Sequence, residues 1–163
     1  SHLSWTDDKF VEGEASIIEI SGVYKKYHCP MARTVLLGKP DQKKIDTMKR
    51  TREALQAGID VTKPGNTADD VAQAFWKVLD KYGIEKKSRT GYSIGIGYPP
   101  DWGEHTLNIQ KGDQTVLQKN VCFHMIAVMQ FGEWGVESSE SIRVSENGAE
   151  NFYKFPDELH IKE

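Results

Sequence analysis

The chain has 163 residues, of which 38% are hydrophobic and 28% charged, and its net charge is −3. That length and balance fit one soluble globular domain and exclude a nucleic-acid footprint, which needs clustered Lys and Arg. The basic residues are scattered, most of them on one predicted helix beside acidic ones, as on a solvated face.

Residues 1–13 are polar apart from Trp5 and read as loop. Residues 14–21 (EASIIEIS) are strand-like, Gly22 interrupts, and residues 23–27 and 31–37 form second and third β-rich runs before Gly38-Lys39-Pro40 breaks the sheet. From Asp41 to about Val61 the pattern turns helical, with Ile45, Met48, Leu55 and Ile59 recurring at helical spacing among charges. Lys63-Pro64-Gly65 stops it. Thr67 is a good N-cap, with the Asp70 carboxylate in the first turn. The second helix runs to about Tyr82, with Val71, Phe75, Val78 and Leu79 on one face and Gly83 as its C-cap.

Residues 89–104 (RTGYSIGIGYPPDWGE) are rich in glycine, proline and aromatics, which predicts an irregular segment. Residues 121–131 make a long β-type run and residues 138–145 another. Asn147-Gly148 is a hairpin turn signal, with residues 152–155 closing the hairpin. No internal repeat or low-complexity tract is visible. A β-hairpin, two helices and a β-meander predict an α+β fold, with helices on one face of a curved antiparallel sheet.

Cys29 and Cys122 lie in apolar runs and are too few for a disulfide framework, so they read as buried thiols in a reducing cytoplasm. No window reaches the ~18 apolar residues of a membrane span. No signal peptide is visible, although the chain opens at Ser1 without a methionine.

Chemistry concentrates in a few places. In residues 89–104, glycines at 91, 95, 97 and 103 free the backbone, Tyr92, Tyr98 and Trp102 supply flat faces, and Glu104 adds a carboxylate. Such a segment lines a site, or else is a crossover whose aromatics plug the core. Gly95-Ile96-Gly97 opens no helix and lacks the third glycine of a nucleotide fingerprint. His124, inside VCFHMIAV, is a hydrogen-bonded core residue or a catalyst. Glu140 shares a strand face with Ile142 and Val144, and Glu19 shares one with Ile17. Two carboxylates on apolar strand faces are candidates for an acid/base pair or a cation site. Alternatively, each pairs with an internal arginine such as Arg33 or Arg143.

The segments YHCPMARTVLLGKP, KPGNTADDVA, GYSIGIGYPPDWGE, VCFHMIAV and ESSESIRVSENGAE, in this order, resemble the pita-bread family of creatinases, prolidases and methionine aminopeptidases. The resemblance covers about residues 10–157 and is strongest to the ectoine hydrolase branch, through GYSIGIGYPPDWGE and the histidine of FHM. It implies a pita-bread fold, with residues 1–163 as the C-terminal part of the catalytic domain. An N-terminal domain and the first part of the catalytic domain would precede it. The family's peptidases hold two metal ions with two aspartates, a histidine and two glutamates. On the resemblance these positions fall on Glu19, Pro30, Tyr92, His124 and Glu140, and a substrate-touching histidine falls on Pro99. With so few oxygens left for a hard divalent pair, the resemblance implies a metal-independent hydrolase without cofactor, as creatinase is. Its substrate would be the cyclic amidine ectoine, opened to N-acetyl-diaminobutyrate. Glu19, His124 and Glu140 would be catalytic, with Glu19 as nucleophile or base, Glu140 as its partner and His124 moving the proton. Tyr92, Tyr98, Trp102 and Glu104 would bind substrate, partly by cation–π contact. A cytoplasmic homodimer acting on a small molecule, with no nucleic-acid or membrane partner, completes the expectation. The alternatives are an Xaa-Pro dipeptidase or aminopeptidase with a dinuclear Mn, Co or Zn site, and a catalytically dead binding protein.

Overall fold

A computed structural model describes residues 7–98 and 101–163. Trp5 and Pro99, singled out above, lie outside the described residues. The elements in chain order are β1 (Ala15–Tyr24), β2 (Tyr27–Leu37), α1 (Gln42–Val61), α2 (Ala68–Lys81), β3 (Gly91–Tyr98), β4 (Asp101–Ile109), β5 (Cys122–Phe131), β6 (Trp134–Val144), β7 (Ala149–Asn151) and β8 (His160–Lys162).

β1 and β2 pair without interruption from Ala15↔Leu36 to Tyr24↔Tyr27, so Gly22 and Pro30 sit inside strands rather than breaking them. The hairpin turns at Lys25 and Lys26, both at positive φ, a conformation usually given to Asn or Gly. β2 also meets β3 at Tyr27↔Ile96 and β6 at Arg33↔Ser138. Because β3, β5 and β6 are themselves joined in that order, these pairings close a ring and the sheet curls strongly. All strand pairs are antiparallel except β8, which runs parallel to the end of β2.

The two helices form as expected. Asp41 caps α1 by accepting from the Lys44 amide at 2.8 Å. Thr67 and Asp70 make a complete capping box on α2. Replacing Thr67 with Ala should therefore cost about 1 kcal/mol, measurable by urea denaturation. Tyr82 is the C-cap of α2, and Gly83 follows it at φ +63. The helices bury Met48, Leu55, Val71, Phe75 and Leu79 against Phe123, Met125, Met129, Val136 and Ile142 of the sheet. At Gly58 the approach is so close that a Cβ would stand 2.0 Å from Met125 Cε.

Three expectations are corrected. Residues 91–98 and 101–104 are strand rather than irregular: β3 and β4 pair antiparallel, with register shifts between Tyr92 and Ile94 and between Ile94 and Tyr98. The glycines read as loop formers instead permit bulges and close strand approach, as at Gly91, whose Cβ would meet the His124 carbonyl at 2.9 Å. β7, not residues 152–155, closes the hairpin on β6, and the chain after it leaves the sheet to cover Arg33. The apolar residues of β1 are not inward: Ile17, Ile18 and Ile20 are all exposed. Among the described residues, no helix is long and apolar enough to cross a membrane.

Candidate active site

Alternation along the strands gives the sheet two distinct faces. Phe123, Met125 and Ala127 of β5 and Val136, Ile142 and Val144 of β6 belong to the helix-facing core. His124, Glu137, Ser139 and Ser141 therefore point the other way, and they are buried although polar. Ala32 and its β1 partner Glu19 share that second face, because Arg33 is committed to the helix side.

His124 stands at the centre. Its Nδ1 lies 3.0 Å from the Tyr92 hydroxyl and its Nε2 2.6 Å from Ser139 Oγ. Trp102 Nε1 donates to the Tyr92 hydroxyl at 2.6 Å, and the Ala32 amide donates to Ser139 Oγ at 2.7 Å. With its oxygen accepting from Trp102, Tyr92 has its own proton to offer Nδ1, and a neutral ring with Nε2–H satisfies Ser139. Complete burial pushes the imidazole's proton affinity down to about 3, so the ring is neutral near pH 7. Burial raises Tyr92 to about 12, with the Trp102 bond opposing and the charge of Glu19 adding to the rise. Tyr92→Phe would strand the buried His124 Nδ1, at an expected cost of about 1–3 kcal/mol, read as a lower melting temperature.

Two carboxylates flank this chain. Glu19 is half-buried on β1, close enough to raise the proton affinity of both Tyr92 and Glu137. Burial, and then Glu19, lift Glu137 to about 7, while Lys86 opposes. Lys86 is itself lowered to about 8 by burial, against the pull of Glu137. Arg89 lies over the Tyr92 ring, 4.6 Å from its centre.

The structure thus brings together Glu19, Tyr92, Trp102 and His124, and it does not bring the other expected residues to them. Glu140 points to the helix side beside Leu55 and Ile59 of α1, where Arg33 Nη2 donates to it at 2.6 Å. Burial still lifts its carboxyl to about 7, with Arg33 opposing. The expectation that Glu140 partners Glu19 is corrected: the alternative pairing with Arg33 is the one observed, while Arg143 pairs with Glu150. Tyr98 is exposed at the far end of β3, under Lys26. Glu104 accepts from Thr106 Oγ1 and lines a separate cavity of about 960 Å³. Cys29 and Cys122 line the same cavity and are half-buried rather than buried. Glu137, Ser139 and Lys86 were missed. The alternation in ESSES carried the signal, because fixing Ile142 and Val144 inward turns Glu137 and Ser139 to the other face.

The residues that the resemblance places at the five metal positions do not fit a dinuclear pair. Pro30 has no side-chain donor, both nitrogens of His124 are engaged within the protein, and Glu140 is turned through the sheet to Arg33. Among the described residues, no three His, Cys, Asp or Glu side chains converge as a cation site.

A model of the family described as metallopeptidase family M24 matches residues 1–146. An ectoine hydrolase from Halomonas elongata is 43% identical over 162 residues, covering 99% of this chain and 41% of that protein. An Xaa-Pro dipeptidase from Pyrococcus furiosus is 24% identical over 158 residues, covering 94% of this chain and 44% of that protein. The crystal structure of a dipeptidase PepE from Mycobacterium ulcerans superposes with a TM-score of 0.90 at 28% identity, covering 98% of this chain and 43% of that one. The chain spans about two fifths of the length of these relatives.

Proposed function

The chain belongs to metallopeptidase family M24 and has the pita-bread fold of that family's dipeptidases, and from that premise we propose that it is the ectoine-opening, metal-independent part of a hydrolase. The observation that carries the reading is the makeup of the second sheet face. It offers a carboxylate, a neutral hydrogen-bonded imidazole and aromatic planes where a metallopeptidase needs converging metal donors. Identity of 43% to an ectoine hydrolase supports the choice of substrate.

Ectoine carries a cationic amidinium and a carboxylate. Glu19 offers the amidinium an opposite charge, and Tyr92 and Trp102 offer it flat faces. Hydrolysis needs an oxygen bonded to the amidine carbon and a proton on the departing nitrogen. Glu19 supplies the first, as nucleophile or as base toward water. The Tyr92–His124–Ser139 chain holds the aromatic wall in place against β5 and β6. Glu140 has no part in the reaction and ties residues 152–158 to the sheet. A homodimer in the cytoplasm belongs to this reading through the family resemblance.

Incubating the intact protein with ectoine and following N-acetyl-diaminobutyrate by NMR tests the reading. Stoichiometric formation of that product is the expected result. Recovery of unchanged ectoine overturns it.

A further inference from the structure

We propose that the cavity of about 960 Å³ is a second small-molecule site, which takes an organic cation bearing N–H donors on an aromatic or aliphatic body. Glu104 meets the charge of that cation, and His28 accepts one of its N–H groups. The site goes beyond the ectoine reading, because Tyr92, Trp102 and His124 do not line it.

The cavity lies between the β1–β2 turn, the β3–β4 hairpin and residues 115–122. Its volume falls in the range of ligand pockets, roughly 300–1,000 Å³. Val23, Tyr27, Ile94, Leu107, Leu117 and Phe152 make its walls apolar, and Val23, Tyr27 and Phe152 are exposed. Apolar side chains left wet around a hollow mark a surface that gains by being covered. Flat aromatic faces among them suit a cation as well as an apolar body.

Two side chains set the polarity. No Lys, Arg or Asp lines the cavity among the described residues, so Glu104 fixes its charge. His28 is only 6% exposed, and neither of its ring nitrogens has a hydrogen-bond partner. A buried polar group left unpaired is costly, and a ligand that pairs it recovers that cost. An imidazole nitrogen with its lone pair accepts an N–H.

Glycines of β3 seat both groups. A Cβ at Gly95 would stand 2.7 Å from Glu104 Oε1, and one at Gly97 would stand 3.4 Å from His28 Nε2. These positions are two strand residues apart, about 7 Å, a span that one small molecule bridges. Thr106 Oγ1 donates to Glu104 Oε2 at 2.9 Å, which steadies the carboxylate and leaves Oε1 for a ligand. Because Gly97 has no Cβ, the His28 ring keeps room to turn a nitrogen into the cavity.

Titration calorimetry on the intact protein tests the site, with phenethylammonium as the probe. Phenethyl alcohol, which lacks the charge, and phenethyltrimethylammonium, which lacks the N–H donors, are the controls. Saturable binding of the primary ammonium is expected, with each control weaker by about 10-fold or more. Glu104→Gln and His28→Phe should each weaken the ammonium by about 10-fold or more, and His28→Phe should also narrow its advantage over the quaternary ion. Saturating ectoine should leave the probe's affinity unchanged. Circular dichroism checks each fold, and the exposed Glu104 decides the matter if His28→Phe does not fold. No saturable binding by wild type, wild-type affinity in either folded variant, or displacement of the probe by ectoine would overturn the proposal. Probe binding that depends on Glu104, together with no opening of ectoine by wild type, removes ectoine as substrate and upholds this site.

Discussion

Glu19→Gln is expected to lower ectoine turnover by about 10²–10⁴-fold while leaving the fold intact. The substitution keeps the size and most of the hydrogen-bonding capacity of the side chain. It removes the negative charge that meets the amidinium and the lone pair that attacks it or activates water. Glu19 is half-buried on a strand whose neighbours Ile18 and Ile20 are exposed, and glutamine fills the same space there. Circular dichroism and melting should be near wild type. The charge of Glu19 also reaches Glu137, raising its proton affinity. Wild-type turnover in this variant would remove Glu19 from the site.

The second large effect falls on stability. Arg33→Ala should destabilise by about 3–5 kcal/mol, because it leaves the buried Glu140 carboxylate without its cation. Arg33 also donates to the carbonyls of Ala32, Ser139 and Pro156 at 2.7–2.9 Å, so the change also frees the segment after β7. Replacing both partners with apolar residues, as in Arg33→Met with Glu140→Leu, should recover much of the loss, since no charge is then stranded. Glu140→Gln should lower the urea midpoint while turnover by folded molecules stays within a few-fold of wild type. A drop of about 10²-fold in turnover without a stability change would return Glu140 to the reaction.

Local signals in the sequence foretold the helices. Asp41, Thr67 and Asp70 cap them as their side-chain chemistry dictates, and the apolar spacing of Val71, Phe75 and Leu79 placed the core. The β3–β4 hairpin was hidden because glycine and proline content speaks of local freedom. Pairing between β3 and β5, thirty or more residues apart, imposes the strand regardless. The site was hidden for a related reason. Alternation shows that Glu140 lies with Ile142 and Val144, but not that the chemistry lies on the opposite face. That face became visible when curvature buried Glu137, Ser139 and His124 on the side away from the helices. Glu19 was legible as a lone carboxylate among isoleucines. Glu137, which feels its charge, and Lys86, which acts on Glu137, arrive from distant parts of the chain, with no sequence motif joining them.

The most direct measurement of the central claim gives the intact protein ectoine in one reaction and an Ala-Pro dipeptide in another, each before and after exhaustive chelation. The predicted result is ectoine opening at the same rate with and without chelator, and no cleavage of the dipeptide. Dipeptide cleavage that chelator abolishes and Mn²⁺ restores would contradict it, and would make the protein a metallopeptidase.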